Sequence, residues 1–164
     1  MQSGIEHSFM ERAERPDRVF YDLPPETLKA FDALKSINEY ERGTVLFREG
    51  SPCRGVLVLC EGRARLSVCS ESGSRLTLRI AGPGEILGLS ACLADSAHEM
   101  TAELLDSTRV ALVRRKDLME FLHDHREACM KVVSLLSQDL HRAYDRVRTV
   151  GMSRSRRSRA LRVH

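Results

Sequence analysis

The side chains of this sequence with the most varied chemistry are its cysteines, Cys53, Cys60, Cys69, Cys92 and Cys129. They form an odd set with no Cys-x-x-Cys pair, which reads as reduced thiols in a cytosolic chain. His123 and His125 have the ligand type for a metal. On a helix, however, positions i and i+2 do not face each other, so the pair reads as a solvated helix junction and no metal site is expected. No Gly-x-Ser-x-Gly elbow, His-Glu-x-x-His helix or Gly-x-x-x-x-Gly-Lys-Ser/Thr loop occurs, and the acids of the middle region are scattered through turns. The expectation is a protein that is not an enzyme. The remaining chemistry is charge. Arg154, Arg156, Arg157, Arg159 and Arg162 fall in the last twelve residues without an acid, while the whole chain carries only +3. Such a tail suits non-specific contact with nucleic-acid phosphates, in competition with the plainer reading of a solvated terminus.

These groups need a scaffold, and 164 residues suffice for one domain that buries roughly two-thirds of the surface its unfolded chain exposes. The longest apolar run, Val56 to Cys60, is far short of the ~20 residues that cross a bilayer. The polar first eighteen residues lack the apolar stretch of a secretory signal. A cytoplasmic protein without membrane contact is expected.

Hydrophobic spacing divides the chain. Pro24 and Pro25 open a helix expected to reach Ser36, with Leu28, Phe31, Leu34 and Ile37 along one stripe. From Gly43 to Arg115 the period becomes two: Val45 and Phe47, then Ala64, Leu66 and Val68, then Leu76, Leu78 and Ile80, then Ala102 and Leu104, then Val110 and Leu112. Turn residues punctuate these runs, as in a jelly roll or small barrel. Val56 to Leu59 is apolar on both faces and is expected as a central strand. A short helix from Leu118 to His123 follows, then a long one from Glu127 to Val150. In the latter, Cys129, Val133, Leu136, Leu140, Ala143, Val147 and Val150 alternate at spacings of four and three. That heptad seam favours a homodimer over packing of the helix on its own domain. Tyr144 lies beside the seam, and Gly151 is expected to stop the helix.

The stretches GTVLFREGSPCRGVLVLCEGRARLSV, GSRLTLRIAGPGEILGLSACL and TAELLDSTRVALVRRKDLMEFL, followed by the long helix, resemble the cyclic-nucleotide-binding domain of the CRP/FNR transcription regulators. The resemblance runs from about Leu23 to Val150. It implies a mainly β jelly roll with flanking helices, followed by a long dimerisation helix. It divides the chain into an N-terminal tail (1–22), a jelly-roll domain (23–123), a dimerisation helix (124–151) and a basic tail (152–164). It also implies a phosphate-binding cassette over Gly84, Glu85, Ile86, Gly88, Leu89 and Ser90, completed by Met100 and Thr101. The unpaired N–H groups at the start of a short helix attract phosphate oxygens there.

The sequence departs from the family pattern at the anchors themselves. Relatives that bind cyclic AMP carry a Glu for the ribose 2′-hydroxyl where this chain has Leu89. They carry a phosphate-binding Arg where it has Met100, or Glu99 if the gap shifts by one. Only the hydroxyl partner is kept, as Thr101, and Ala143 and Tyr144 occupy the helix positions that face the base. Leaving buried polar groups of a ligand unpaired costs roughly 1–3 kcal/mol each, so cyclic AMP is not expected in the usual mode. A different small-molecule effector, or none, is expected instead. Leu89, Ala91 and Met100 would give the site an apolar lining. The iron–sulfur branch of the family needs cysteines near the N-terminus, and none precedes Cys53. A haem branch needs an axial ligand, for which His7, Cys92 and His98 are the candidates, although a lone His reads as a surface residue.

Relatives carry a helix-turn-helix domain after the long helix, and the residues after Met152 do not supply one. Sequence-specific DNA binding is therefore expected only if such a domain comes from another chain or a longer product. Two functions remain open: the effector-sensing and dimerisation domain of a CRP/FNR-type regulator, and a ligand-free module that pairs with a full-length regulator.

Overall fold

Residues with a period of two form strands and residues with heptad spacing form helix. The computed structural model describes residues 19–162, with side chains through Gly151. Helix α1 (Pro25–Asp32) precedes strands β1 (Ser36–Tyr40), β2 (Val45–Phe47), β3 (Gly55–Leu59), β4 (Ala64–Cys69), β5 (Arg75–Ala81) and β6 (Ile86–Leu87). Helix α2 (Leu89–Ala94), strands β7 (Thr101–Leu104) and β8 (Thr108–Arg114), and helices α3 (Arg115–Asp124) and α4 (Arg126–Arg162) complete the order. One sheet runs β1-β8-β3-β6 and the other β2-β7-β4-β5, with every pairing antiparallel. The apolar strand β3 lies between two neighbours, as its two-sided hydrophobicity requires.

Phe47, Leu59, Leu66, Leu87, Leu104 and Val110 are buried together in the core of the β region. A second cluster joins Phe20, Phe31 and Phe121, whose ring centroids are 4.9, 5.2 and 5.8 Å apart in pairs. Phe20 belongs to the expected N-terminal tail, yet it is fully buried. The earlier part of that tail, with His7, lies outside the described residues.

Four local expectations change. Helix α1 ends at Asp32, and the chain then enters β1, where Ser36 to Tyr40 pair with Leu112 to Thr108. Backbone pairing with β8 overrides the helical stripe at Ile37, which is left exposed. In β4 a bulge between Leu66 and Ser67 shifts the phase, so Ser67 is buried while Val68 is only half-buried. On β5 the alternating residues Leu76 and Ile80 are exposed and are not core.

The fourth change is in α4, which does not stop at Gly151 but continues to Arg162. A single interior Gly costs about 1 kcal/mol, and no proline follows to enforce a stop. The Ser, Arg, Ala and Leu residues beyond it tolerate helix well. The expected basic tail is therefore helical backbone as far as Arg162, while the side chains of Arg154, Arg156, Arg157 and Arg159 lie outside the described residues. The chain divides into two compact units, one through Cys129 and one from Met130.

In the second unit, Val133, Leu140, Tyr144, Val147 and Val150 are 49–70% exposed in the single chain, and Ala143 is exposed with them. Leu136 is half-buried, as is Cys129 at the end of the first unit. No helix among the described residues is long and apolar enough to cross a membrane.

Candidate functional site

The segment expected as the cassette is built by the turn from β5 to β6 and by α2. Glu85 anchors the turn. Its carboxylate accepts hydrogen bonds from the Arg79 guanidinium at 3.0 and 3.1 Å and from the Gly82 N–H at 2.8 Å. The backbone is tied to β3 as well, since the Gly84 N–H donates to the Leu59 carbonyl at 2.7 Å and the Leu59 N–H to the Glu85 carbonyl at 3.1 Å.

Gly88 caps α2 with φ of 81°. That left-handed conformation suits glycine. A side chain there would also meet a neighbour, because an added Cβ would stand 3.1 Å from Cε1 of His98. The first ladder bond of α2 runs from the Cys92 N–H to the Gly88 carbonyl at 3.0 Å, so the N–H groups of Leu89, Ser90 and Ala91 precede the ladder. Leu89, Ala91 and Cys92 are turned into the core at 4% exposure or less, whereas Ser90 faces outward. At the other end of α2, the Arg115 Nε–H donates to the Cys92 carbonyl at 2.9 Å, and the same nitrogen lies 3.5 Å from Asp95.

The opposite wall comes from the loop before β7. His98 is buried, and its ring stacks on Phe47 with centroids 3.9 Å apart and planes 12° from parallel. The expectation of a surface histidine is therefore wrong. Burial holds the imidazole below its ordinary value, with Glu99 opposing the shift. Backbone bonds from the His98 N–H to the Ser51 carbonyl and from the Gly50 N–H to the His98 carbonyl fix the loop against the turn after β2. Met100 is half-buried and packs against the core cluster. The Thr101 Oγ1 accepts from the Glu49 N–H at 2.9 Å, and the Glu49 carboxylate accepts from the Cys69 N–H at 2.9 Å. A threonine hydroxyl that accepts one bond still has its O–H to donate.

This arrangement presents helix N–H groups and one hydroxyl. The Glu85 carboxylate in the turn before α2 is already held by three donor contacts. A model of the cyclic nucleotide-binding domain matches residues 37–125. The chain belongs to that family.

Among curated proteins, this cyclic nucleotide-binding domain is similar to the cyclic AMP receptor protein of Thermus thermophilus, with 22% identity over 76% of the chain and 58% of the relative. It is also similar to a CRP-like cAMP-activated global transcriptional regulator of Mycobacterium tuberculosis, with 20% identity over 76% of the chain and 55% of the relative. The domain thus spans somewhat over half the length of these relatives. Among solved structures, the catabolite activator protein of Thermus thermophilus matches with a TM-score of 0.76 and 21% identity, over 81% of this chain and 62% of that one. The sensor domain of the transcriptional regulator DNR from Pseudomonas aeruginosa matches with a TM-score of 0.67 and 18% identity, over 86% and 92%. The fold is therefore the antiparallel jelly roll of cyclic nucleotide-binding domains followed by helices, with homology to CRP-family regulators.

Two features of the domain escaped the sequence reading. Arg115 reads as an ordinary strand-end residue, and nothing in its spacing points to the end of α2. The approach of Cys53 to the Gly88 carbonyl, which also accepts the Cys92 N–H, joins residues far apart in sequence, and no motif marks it.

Proposed function

We propose that this domain senses an effector and dimerises as part of a CRP/FNR-type transcription regulator, and that its cassette does not take cyclic AMP in the usual mode. One observation carries the reading: the position of the ribose carboxylate holds Leu89, which is buried at 4% exposure. Glu85, one residue after Gly84, does not substitute, because Arg79 and Gly82 already occupy its carboxylate. Met100 offers no guanidinium fork for the cyclic phosphate.

The effector then has a different polar pattern. Its differential affinity for two arrangements of the α4 pair in a homodimer would shift the DNA-binding domains of a complete regulator. The exposed heptad residues of α4 support the dimer. Calorimetric titration with cyclic AMP should show no binding below millimolar concentration; micromolar affinity would sink the reading.

The same exposed seam supports a second function, a module that pairs with a full-length regulator without a ligand. A melting shift induced by a small molecule separates the two, since only a sensor is stabilised by effector. A dominant-negative effect on a co-expressed regulator, with no such shift, would favour the pairing module.

A further inference from the structure

Cys53 and Cys92 are brought together beside the cassette. Cys53 precedes β3, and its thiol donates to the Gly55 carbonyl at 3.4 Å and lies 3.9 Å from the Gly88 carbonyl. That same Gly88 carbonyl accepts the N–H of Cys92. Cys53 is also the neighbour that, after burial, most affects the Cys92 thiol. Cys53 is half-buried, whereas Cys92 is fully enclosed in α2.

We propose that Cys53 and Cys92 form a redox pair that a peroxide converts into a disulfide, tying the segment before β3 to the cassette helix. Two steps balance the reaction. The Cys53 thiolate attacks one peroxide oxygen, the O–O bond breaks, and Cys53 becomes a sulfenic acid as hydroxide or alkoxide leaves and takes up the proton that the Cys53 thiol had released, departing as water or an alcohol. The Cys92 sulfur then attacks the Cys53 sulfur, the S–O bond breaks, and the departing hydroxide takes the Cys92 proton as water. The two thiols lose two electrons and two hydrogens, and the peroxide is reduced.

The order of attack follows from the surroundings. Burial, and then the neighbouring Cys53, push the Cys92 thiol up to about 12, so Cys92 stays protonated at neutral pH and does not react first. Cys53 is the one within reach of an oxidant. Once the sulfenic acid forms on Cys53, Cys92 is the neighbouring thiol placed to resolve it.

The test is a peptide map of the intact chain after limited treatment with hydrogen peroxide, denaturation and alkylation. Trypsin places each of the five cysteines in a separate peptide. The expected result is a peptide containing Cys53 linked to one containing Cys92, lighter by two hydrogens and separated by dithiothreitol. Two of the five free thiols are then lost in a denatured thiol assay. A Cys92→Ser variant should leave Cys53 as a sulfenic acid that dimedone traps. The wild-type map stands alone if that variant fails to fold. Cys53 over-oxidised, paired with another cysteine or unchanged, with Cys92 still a free thiol, would overturn the proposal.

Discussion

The ring of His98 lies flat on the ring of Phe47, 3.9 Å away, and its edge closes over Gly88. Burial lowers the imidazole below its ordinary value of about 6.5. The unfolded chain therefore binds more protons than the folded one below that pH, and stability falls with acidification. Urea unfolding should give constant stability between about pH 6.5 and 9 and a progressive loss as the pH drops below 6.5 toward the folded value. A His98→Phe variant keeps a ring on Phe47 and should lose that part of the pH dependence. An unchanged slope in the variant would mean that other groups carry it.

Gly88 is constrained twice, by its φ of 81° and by the 3.1 Å approach of His98 to an added Cβ. Gly73 has a similar φ of 84° with nothing within 4 Å. Left-handed backbone costs a non-glycine residue roughly 1–2 kcal/mol. Gly73→Ala should lose about that much, and Gly88→Ala clearly more, with the difference read by denaturant midpoints. Equal losses would show that the His98 ring gives way freely.

Glu85 serves the turn. Glu85→Ala removes a partly exposed ion pair and the acceptor for the Gly82 N–H, and should destabilise by about 1–2 kcal/mol. Glu99→Ala, at an exposed position, should stay within about 0.5 kcal/mol. Thermal melts of the two variants side by side distinguish a positioning carboxylate from a solvated one.

The exposed seam gives an oligomeric prediction. Leu140 and Val147 are 53% and 70% exposed in the single chain. Like charges placed along a coiled-coil seam are strongly disfavoured. The doubly substituted Leu140→Glu, Val147→Glu chain should therefore sediment as a monomer while its β-rich circular dichroism persists. A dimer of unchanged mass would move the interface elsewhere.

Burial of Cys92 sets the alkaline side. Its thiol is held up to about 12 from an ordinary value near 9. The unfolded chain releases that proton first, so stability should decline from about pH 9 upward, and the decline should be shallower in Cys92→Ala. Parallel alkaline unfolding curves for the two chains would exclude this thiol as the cause.

Much of the β architecture was legible because alternation and turn residues are local signals. Val56 to Leu59 gave a central strand, and Glu61-Gly62 and Gly82-Pro83-Gly84 fell between strands. What was not legible depends on partners distant in the chain. Ile37 completes a helical stripe in sequence, yet pairs with Ala111 in a sheet. The bulge at Ser67 inverts an alternation that looks regular through Val68. Gly151 has the composition of a helix stop, but only a competing cap or a proline would enforce one. In the cassette, the positions of Leu89 and Met100 followed from order along the chain, whereas the stacking of His98 and the approach of Cys53 to Cys92 follow from how loops fold over α2.

The pairing of β1 with β8 and of β2 with β7 also sets a schedule for synthesis. Tyr40 is made early, but its partner Thr108 and the rest of β8 arrive only at the end of the β region. At about 5–20 residues per second, the wait from Tyr40 to Arg114 is on the order of 4–15 s. During that time the apolar β3 has no finished sheet to join. Nascent chains stalled before β8 should be cut by protease, and chains stalled well beyond it should be protected. Until its last strand emerges, a growing chain of this design keeps that apolar strand uncovered.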